Sequence, residues 1–177
     1  ERVSPQGGEN EAMNGDVKPA RKYRVDLTVG QAAEEKFDGI VLPGGTTNPD
    51  HLRMDEASVA FVRGFVNEKK PIAAICHGAW TLIEANGVKG KTLTSWPSVH
   101  TDLVNAGAKW VDQEVVEDGN LVTSRNPHDL PALCKALVAQ HASEYSCPDT
   151  VDWAVSLNVH ALRLWGAFRG ISLFPAP

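Results

Sequence analysis

The chain has 177 residues, 17 Lys and Arg against 22 Asp and Glu, and a formal net charge of −5. With 42% hydrophobic and 22% charged residues it reads as roughly one globular domain of about 150 residues, large enough to need no disulfide or metal staple, which excludes disorder throughout. Mild acidity and the absence of a basic run speak against nucleic acid as a partner.

Residues 4–22, rich in Gly, Asn, Pro and charge, read as loop. The apolar run Ile40-Val41-Leu42, stopped by Pro43-Gly44-Gly45, predicts a short buried strand. Residues 55–70 predict a helix: Val59, Val62, Phe65 and Val66 share a face, with acids in the first turn and Lys69-Lys70 at the end. Pro71 to Ile75 is a second strand, 77–86 a second helix, and Lys91 to Ser95 a further strand. Trp110-Val111 and Val115-Val116 are strand pieces, the latter turning through Glu117-Asp118-Gly119-Asn120 into Leu121-Val122-Thr123. Leu130, Leu133, Cys134, Leu137 and Val138 form the face of another helix. Strands alternating with helices give an α/β domain with a largely parallel sheet over residues 1–141. Residues 142–177 hold Trp153 and Trp165 without clear period, and form a C-terminal tail of uncertain structure: an amphipathic helix or a segment foreign to the domain. Asp152, Arg163 and Arg169 break its apolar stretch, so no membrane span or membrane partner is expected.

Three cysteines, Cys76, Cys134 and Cys147, form no C-x-x-C pair. Neither a disulfide framework nor a zinc site is expected, and a reducing, cytoplasmic compartment fits. No two histidines have ligand spacing on one helix, and Gly44-Gly45 matches no phosphate-binding pattern, so no metal, nucleotide or flavin cofactor is expected.

The strongest signal is Ala73-Ala74-Ile75-Cys76-His77-Gly78-Ala79-Trp80. A buried strand runs into Cys76 and a helix runs out, with small residues two before (Ala74) and two after (Gly78), as a nucleophile elbow requires. A thiol at a helix start has its pKa lowered from about 8.5 into a range of roughly 3.5–7.5. The backbone N–H of His77, with the Gly44-Gly45 loop, can hold an oxyanion. The competing reading is a buried structural cysteine, which is the reading for Cys134 on its apolar helix face. Residues adjacent at a helix start do not face each other, so the His77 ring need not touch the sulfur. His51, His100 and His128 are alternative bases, each also readable as a surface histidine.

Several motifs in chain order resemble the PfpI/ThiJ superfamily, in its PfpI-like intracellular protease and stress-protein branch. They are Phe37-Asp38-Gly39 through Gly45, Asn48-Pro49-Asp50, Ala74 through Gly78, Thr94-Ser95-Trp96-Pro97, Asp102, Asn105-Ala106-Gly107 and Thr123-Ser124-Arg125-Asn126-Pro127. The resemblance spans about Val25 to Gln140. It implies a flavodoxin-like, class I glutamine-amidotransferase-like three-layer sandwich and a homo-oligomer with sites near subunit interfaces. It also implies Cys76 as nucleophile, His77 as proton shuttle, Asp50 as an acidic group offered to a neighbouring subunit's histidine, and the Gly45 and His77 N–H groups as oxyanion hole. The expected activity is that of a cysteine-dependent hydrolase, peptidase, protein deglycase or glyoxalase III-like, acting on small aldehydes, glycated groups or peptides. Two non-catalytic readings stand beside it: a redox-sensing stress protein, and an inactive fragment. A holding chaperone has little support.

Three departures from the family pattern are visible. A first strand–helix unit, with a glutamate that hydrogen-bonds the nucleophilic sulfur, has no counterpart before Val3-Ser4-Pro5, so the fold is expected to be N-terminally incomplete and the chain a piece of a longer product. His128 stands where this branch often has an acid, and residues 142–177 do not resemble the family. The missing strand belongs in the middle of the sheet, where its absence leaves backbone groups unpaired. That the tail covers the gap is the weaker expectation.

Overall fold

The computed structural model describes residues 1–14, 18–142 and 170–173. A seven-stranded sheet forms the middle layer, in the order β4 (Leu27–Thr28), β1 (Arg2–Ser4), β11 (Gly170–Leu173), β5 (Gly39–Leu42), β6 (Ile72–Ile75), β10 (Leu121–Ser124), β9 (Val115–Asp118). Every pairing is parallel except that of β9 with β10, which is the hairpin expected around Gly119. The fold is flavodoxin-like α/β.

Alternation along the strands explains the layers. Ile40, Leu42, Ile72, Ala74 and Leu121 point into one core, with Val62 and Phe65 of α2 (Glu56–Asn67) and Leu82 of α3 (Ala79–Glu84). Ala73 and Val122, joined by Val41 and Ile75, point to the other side, where Leu133 and Ala136 of α5 (Leu130–Ala142) cover them. Helix α2 starts where the charge pattern suggests: Asp55 caps it by accepting from the Ser58 N–H at 2.8 Å. Beyond β10, Arg125 lies between Asp112 and Asp129, and its guanidinium holds the buried Asp129 carboxyl below the usual carboxylate range. This pair joins the strand end to the start of α5.

Three parts differ from the sequence reading. Residues 4–22 are not loop: β2 (Glu9–Asn14) and β3 (Lys18–Arg24) form an antiparallel ribbon. Its residues are mostly exposed, and opposite charges face each other across it, Glu9 with Arg24 and Glu11 with Lys22, so no apolar period marks it. Two helices were not foreseen, α1 (Thr47–Met54) and α4 (His100–Asn105); Leu103 is the one buried residue of α4, and α1 buries Asn48, Pro49 and Leu52.

The third difference concerns the centre of the sheet. The position between β1 and β5, expected to be empty, is occupied by Gly170–Leu173. Arg2 pairs with Ser172 and Val3 with Leu173 on one side; Gly170 pairs with Gly39 and Ile171 with Ile40 on the other. Four tail residues thus return to the domain. Residues 143–169, with Cys147, Trp153 and Trp165, lie outside the described residues. Among the described residues, no helix is long and apolar enough to cross a membrane.

Candidate active site

Strands β5 and β6 end side by side, and their exits build the site. β6 runs into Cys76, whose φ of +61° is a left-handed conformation that a side chain rarely adopts. A single 3-10 turn, Cys76–Gly78, then leads into α3. Two glycines make this turn possible. A Cβ at Gly78 would stand 2.6 Å from the Leu42 carbonyl oxygen, and one at Gly44 would stand 2.6 Å from Cys76 Cβ. The first was expected from the elbow pattern. The second shows that Gly44 packs against the cysteine itself, besides leading to Gly45, which has a φ of +79°. Asn48 at the start of α1 fastens this loop, its amide donating to the Pro43 and Gly44 carbonyls at 3.1 and 3.3 Å.

Backbone atoms cannot yield in the way side chains do. Gly78→Ala is therefore expected to destabilise the fold by about 1–3 kcal/mol, read from the urea midpoint. A midpoint equal to the parent's would mean that β5 does not press on the elbow.

The expectation that the ring of His77 need not meet the sulfur is corrected. His77 Nδ1 lies 3.2 Å from Cys76 Sγ. The rule for adjacent residues holds for helical φ at both positions, and Cys76 does not have it. On the ring's far side, Nε2 shares a 3.0 Å hydrogen bond with the hydroxyl of Ser98. The ring is buried at 6% exposure, between the edge of Trp80 (centroids 4.9 Å) and the nearly parallel Trp96 (6.3 Å). Both walls are held. Trp80 donates to Asp102 at 2.7 Å and lies under the Arg53 guanidinium, and the Trp96 N–H donates to the Cys76 carbonyl at 3.2 Å.

The other expected positions are spread out. Asp50 is on the exposed side of α1, beside the exposed His51. His100 packs on Trp110 at 4.7 Å. His128 sits in the turn before α5, its N–H on the Asn126 side chain. Ser98 was missed: it lies 21 residues from His77, and one serine after a proline carries no signal of its own. Among the described residues, no three His, Cys, Asp or Glu side chains are grouped to hold a metal ion.

Cys134 is half-buried on α5, and burial raises its thiol pKa. A raised pKa means less thiolate at any given pH. Iodoacetamide is thus expected to modify Cys134 with a midpoint above that of a free thiol, and more slowly than Cys76 at pH 7, measured by peptide mass spectrometry. Equal rates at the two positions would contradict this ordering.

A parallel α/β sheet with a strained cysteine between strand and helix, and an imidazole on its sulfur, defines a class of flavodoxin-like proteins with a cysteine elbow. The chain matches the DJ-1/PfpI family over residues 1–140 and belongs to that family. It is 48% identical over 127 residues to protein/nucleic acid deglycase 2 of Escherichia coli, covering 69% of this chain and 73% of that one. It is 44% identical over 115 residues to deglycase PfpI of Pyrococcus furiosus, covering 65% and 69%. Among solved structures, a two-domain protein of Anabaena variabilis with DJ-1/ThiJ/PfpI-like and ferritin-like domains superposes with a TM-score of 0.67 at 34% identity. That match covers 81% of this chain, which spans only 40% of the two-domain protein. Drosophila melanogaster DJ-1beta gives a TM-score of 0.63 at 33% identity, over 68% of this chain and 64% of that one.

Proposed function

We propose that the chain is a cysteine-dependent hydrolase of the deglycase type, acting on carbonyl adducts that small 2-oxoaldehydes leave on amines. The observation that carries this reading is the strained Cys76 with its sulfur 3.2 Å from an imidazole nitrogen. Five relatives at 44–48% identity are named deglycases and one, at 44%, a putative cysteine protease, which favours deglycation as the first substrate class to test.

In this reading His77 protonates the amine as the aminocarbinol C–N bond breaks, leaving a 2-oxoaldehyde whose aldehyde carbon Cys76 Sγ, as thiolate, attacks. The C–S bond forms, and the carbonyl π pair moves to oxygen, where the N–H groups of Gly45 and His77 receive it. Within the hemithioacetal a proton moves from the sulfur-bearing carbon to the neighbouring carbonyl carbon, one carbon being oxidised as the other is reduced, and water then cleaves the C–S bond of the resulting thioester to give a 2-hydroxy acid and restore the thiol. The family resemblance gives Asp50, exposed on α1, the part of orienting the histidine of a second copy. The mild negative charge disfavours binding a nucleic-acid polymer, but it does not disfavour a single glycated base, the kind of target the E. coli relative's name includes.

The test is release of free amine from a methylglyoxal-modified peptide by the purified chain, compared with Cys76→Ala. A second reading, redox sensing, rests on the same half-exposed thiol beside an imidazole. It predicts sulfinic acid at Cys76 after peroxide, with no turnover of the modified peptide.

A further inference from the structure

We propose that Ser98 is a positioning residue for His77, fixing where the imidazole proton sits and leaving the ring free to change charge. This rests on the proposed role of Cys76 and His77 and deepens it.

The loop that carries Ser98 is tied to the elbow. Its Trp96 N–H donates to the Cys76 carbonyl, Pro97 opens the following 3-10 turn, and the Ser98 hydroxyl then meets Nε2 at 3.0 Å. The sulfur, the two ring nitrogens and the hydroxyl therefore form one chain, Sγ to Nδ1 at 3.2 Å and Nε2 to Oγ at 3.0 Å. The ring itself is 6% exposed between two tryptophans, and this hydroxyl is the partner its Nε2 meets.

A hydroxyl both donates and accepts, which a carboxylate cannot do. When the pair is thiol and neutral imidazole, Nε2–H donates to Oγ and Nδ1 accepts from the thiol. When the proton crosses to give thiolate and imidazolium, Nε2–H still donates to Oγ and Nδ1–H faces the sulfur. When the imidazolium loses its proton at Nε2, Oγ takes that proton and passes its own to water at the exposed Ser98, so that the hydroxyl then donates to that nitrogen while Nδ1–H stays on the thiolate. Each state keeps both ring nitrogens satisfied.

The experiment compares Ser98→Ala, Ser98→Thr and Ser98→Asp with the parent. Three readouts are used: turnover of the methylglyoxal-modified peptide, the pH profile of Cys76 alkylation, and the 15N shifts of the His77 ring. Ser98 is exposed, so all three variants are expected to fold. In Ser98→Ala, kcat is expected to fall about fivefold to tenfold with KM unchanged, the loss of one hydrogen bond to the reacting ring. Ser98→Thr restores it. Ser98→Asp moves loss of the imidazolium, read by 15N, to higher pH. Ring shifts and an alkylation profile identical to the parent's in Ser98→Ala would overturn the assignment. Equal loss in Ser98→Thr and Ser98→Ala would also overturn it. Ring shifts and alkylation do not depend on turnover, so a parent that hydrolyses nothing would sink the deglycase reading while these two readouts still decide the role of Ser98.

Discussion

Cys76→Ala is expected to lower turnover of a methylglyoxal-modified peptide by about 10³-fold or more, since it removes the sulfur that forms the covalent adduct. The residual rate should be independent of pH across the range in which the parent's rate changes. Alanine keeps the Cβ at a φ of +61°, so the variant carries the same backbone strain as the parent and should have a similar urea midpoint. Cys76→Gly separates the two effects: it is equally inactive but more stable than Cys76→Ala by about 1 kcal/mol, because glycine adopts this φ without cost. Turnover retained in Cys76→Ala rejects the nucleophile outright. A glycine variant no more stable than the alanine variant would show that the turn stores no strain.

Ile171→Pro is expected to have the largest effect on stability. Gly170–Leu173 lies between β1 and β5, so its backbone is paired on both sides. Proline removes a ladder donor from a central strand and clashes with its neighbour, at about 3 kcal/mol or more. That is a large part of the roughly 5–15 kcal/mol that holds a domain of this kind together. The damage also reaches the site, because β5 leads directly into Gly44 and Gly45. Loss of the cooperative urea transition, or a sharply lowered midpoint with faster amide exchange in Gly39–Leu42, is the expected result. An unchanged midpoint with unchanged exchange would mean that these four residues do not complete the sheet.

Much of the site and of the sheet around it was legible because it depends on local chemistry. Ile40-Val41-Leu42 before Pro-Gly-Gly, and Ile72 to Ile75 before Cys76, are buried strands bounded by residues that end strands. Gly78 could be foreseen as a steric necessity of the elbow. What escaped depends on distance or on conformation. The contact of His77 with the sulfur follows from one positive φ, which sequence does not announce for a non-glycine residue. Ser98 reaches the ring only because the loop after β7 (Thr92–Leu93) folds back over the elbow. The ribbon of β2 and β3 is paired through its backbone, with opposite charges facing in its register and no apolar stripe to reveal it. The strand at Gly170–Leu173 is four residues long and takes its identity from the slot it fills.

That slot has a consequence for the order of folding. Its two walls, β1 and β5, lie within the first 42 residues, whereas the strand between them starts at Gly170. Closing so long a loop adds little to the equilibrium cost, about 0.6 kcal/mol per doubling of its length. In kinetic terms it makes the central pairing the most non-local contact of the sheet, and such contacts form late. On the ribosome, at roughly 5–20 residues per second, β1 and β5 wait on the order of ten seconds before Gly170–Leu173 is made. For that interval each presents an open strand edge, the template on which nascent chains associate. Pairing at the heart of the sheet is thus the last step of its assembly, and the cysteine site that hangs from β5 and β6 gains its final support only then.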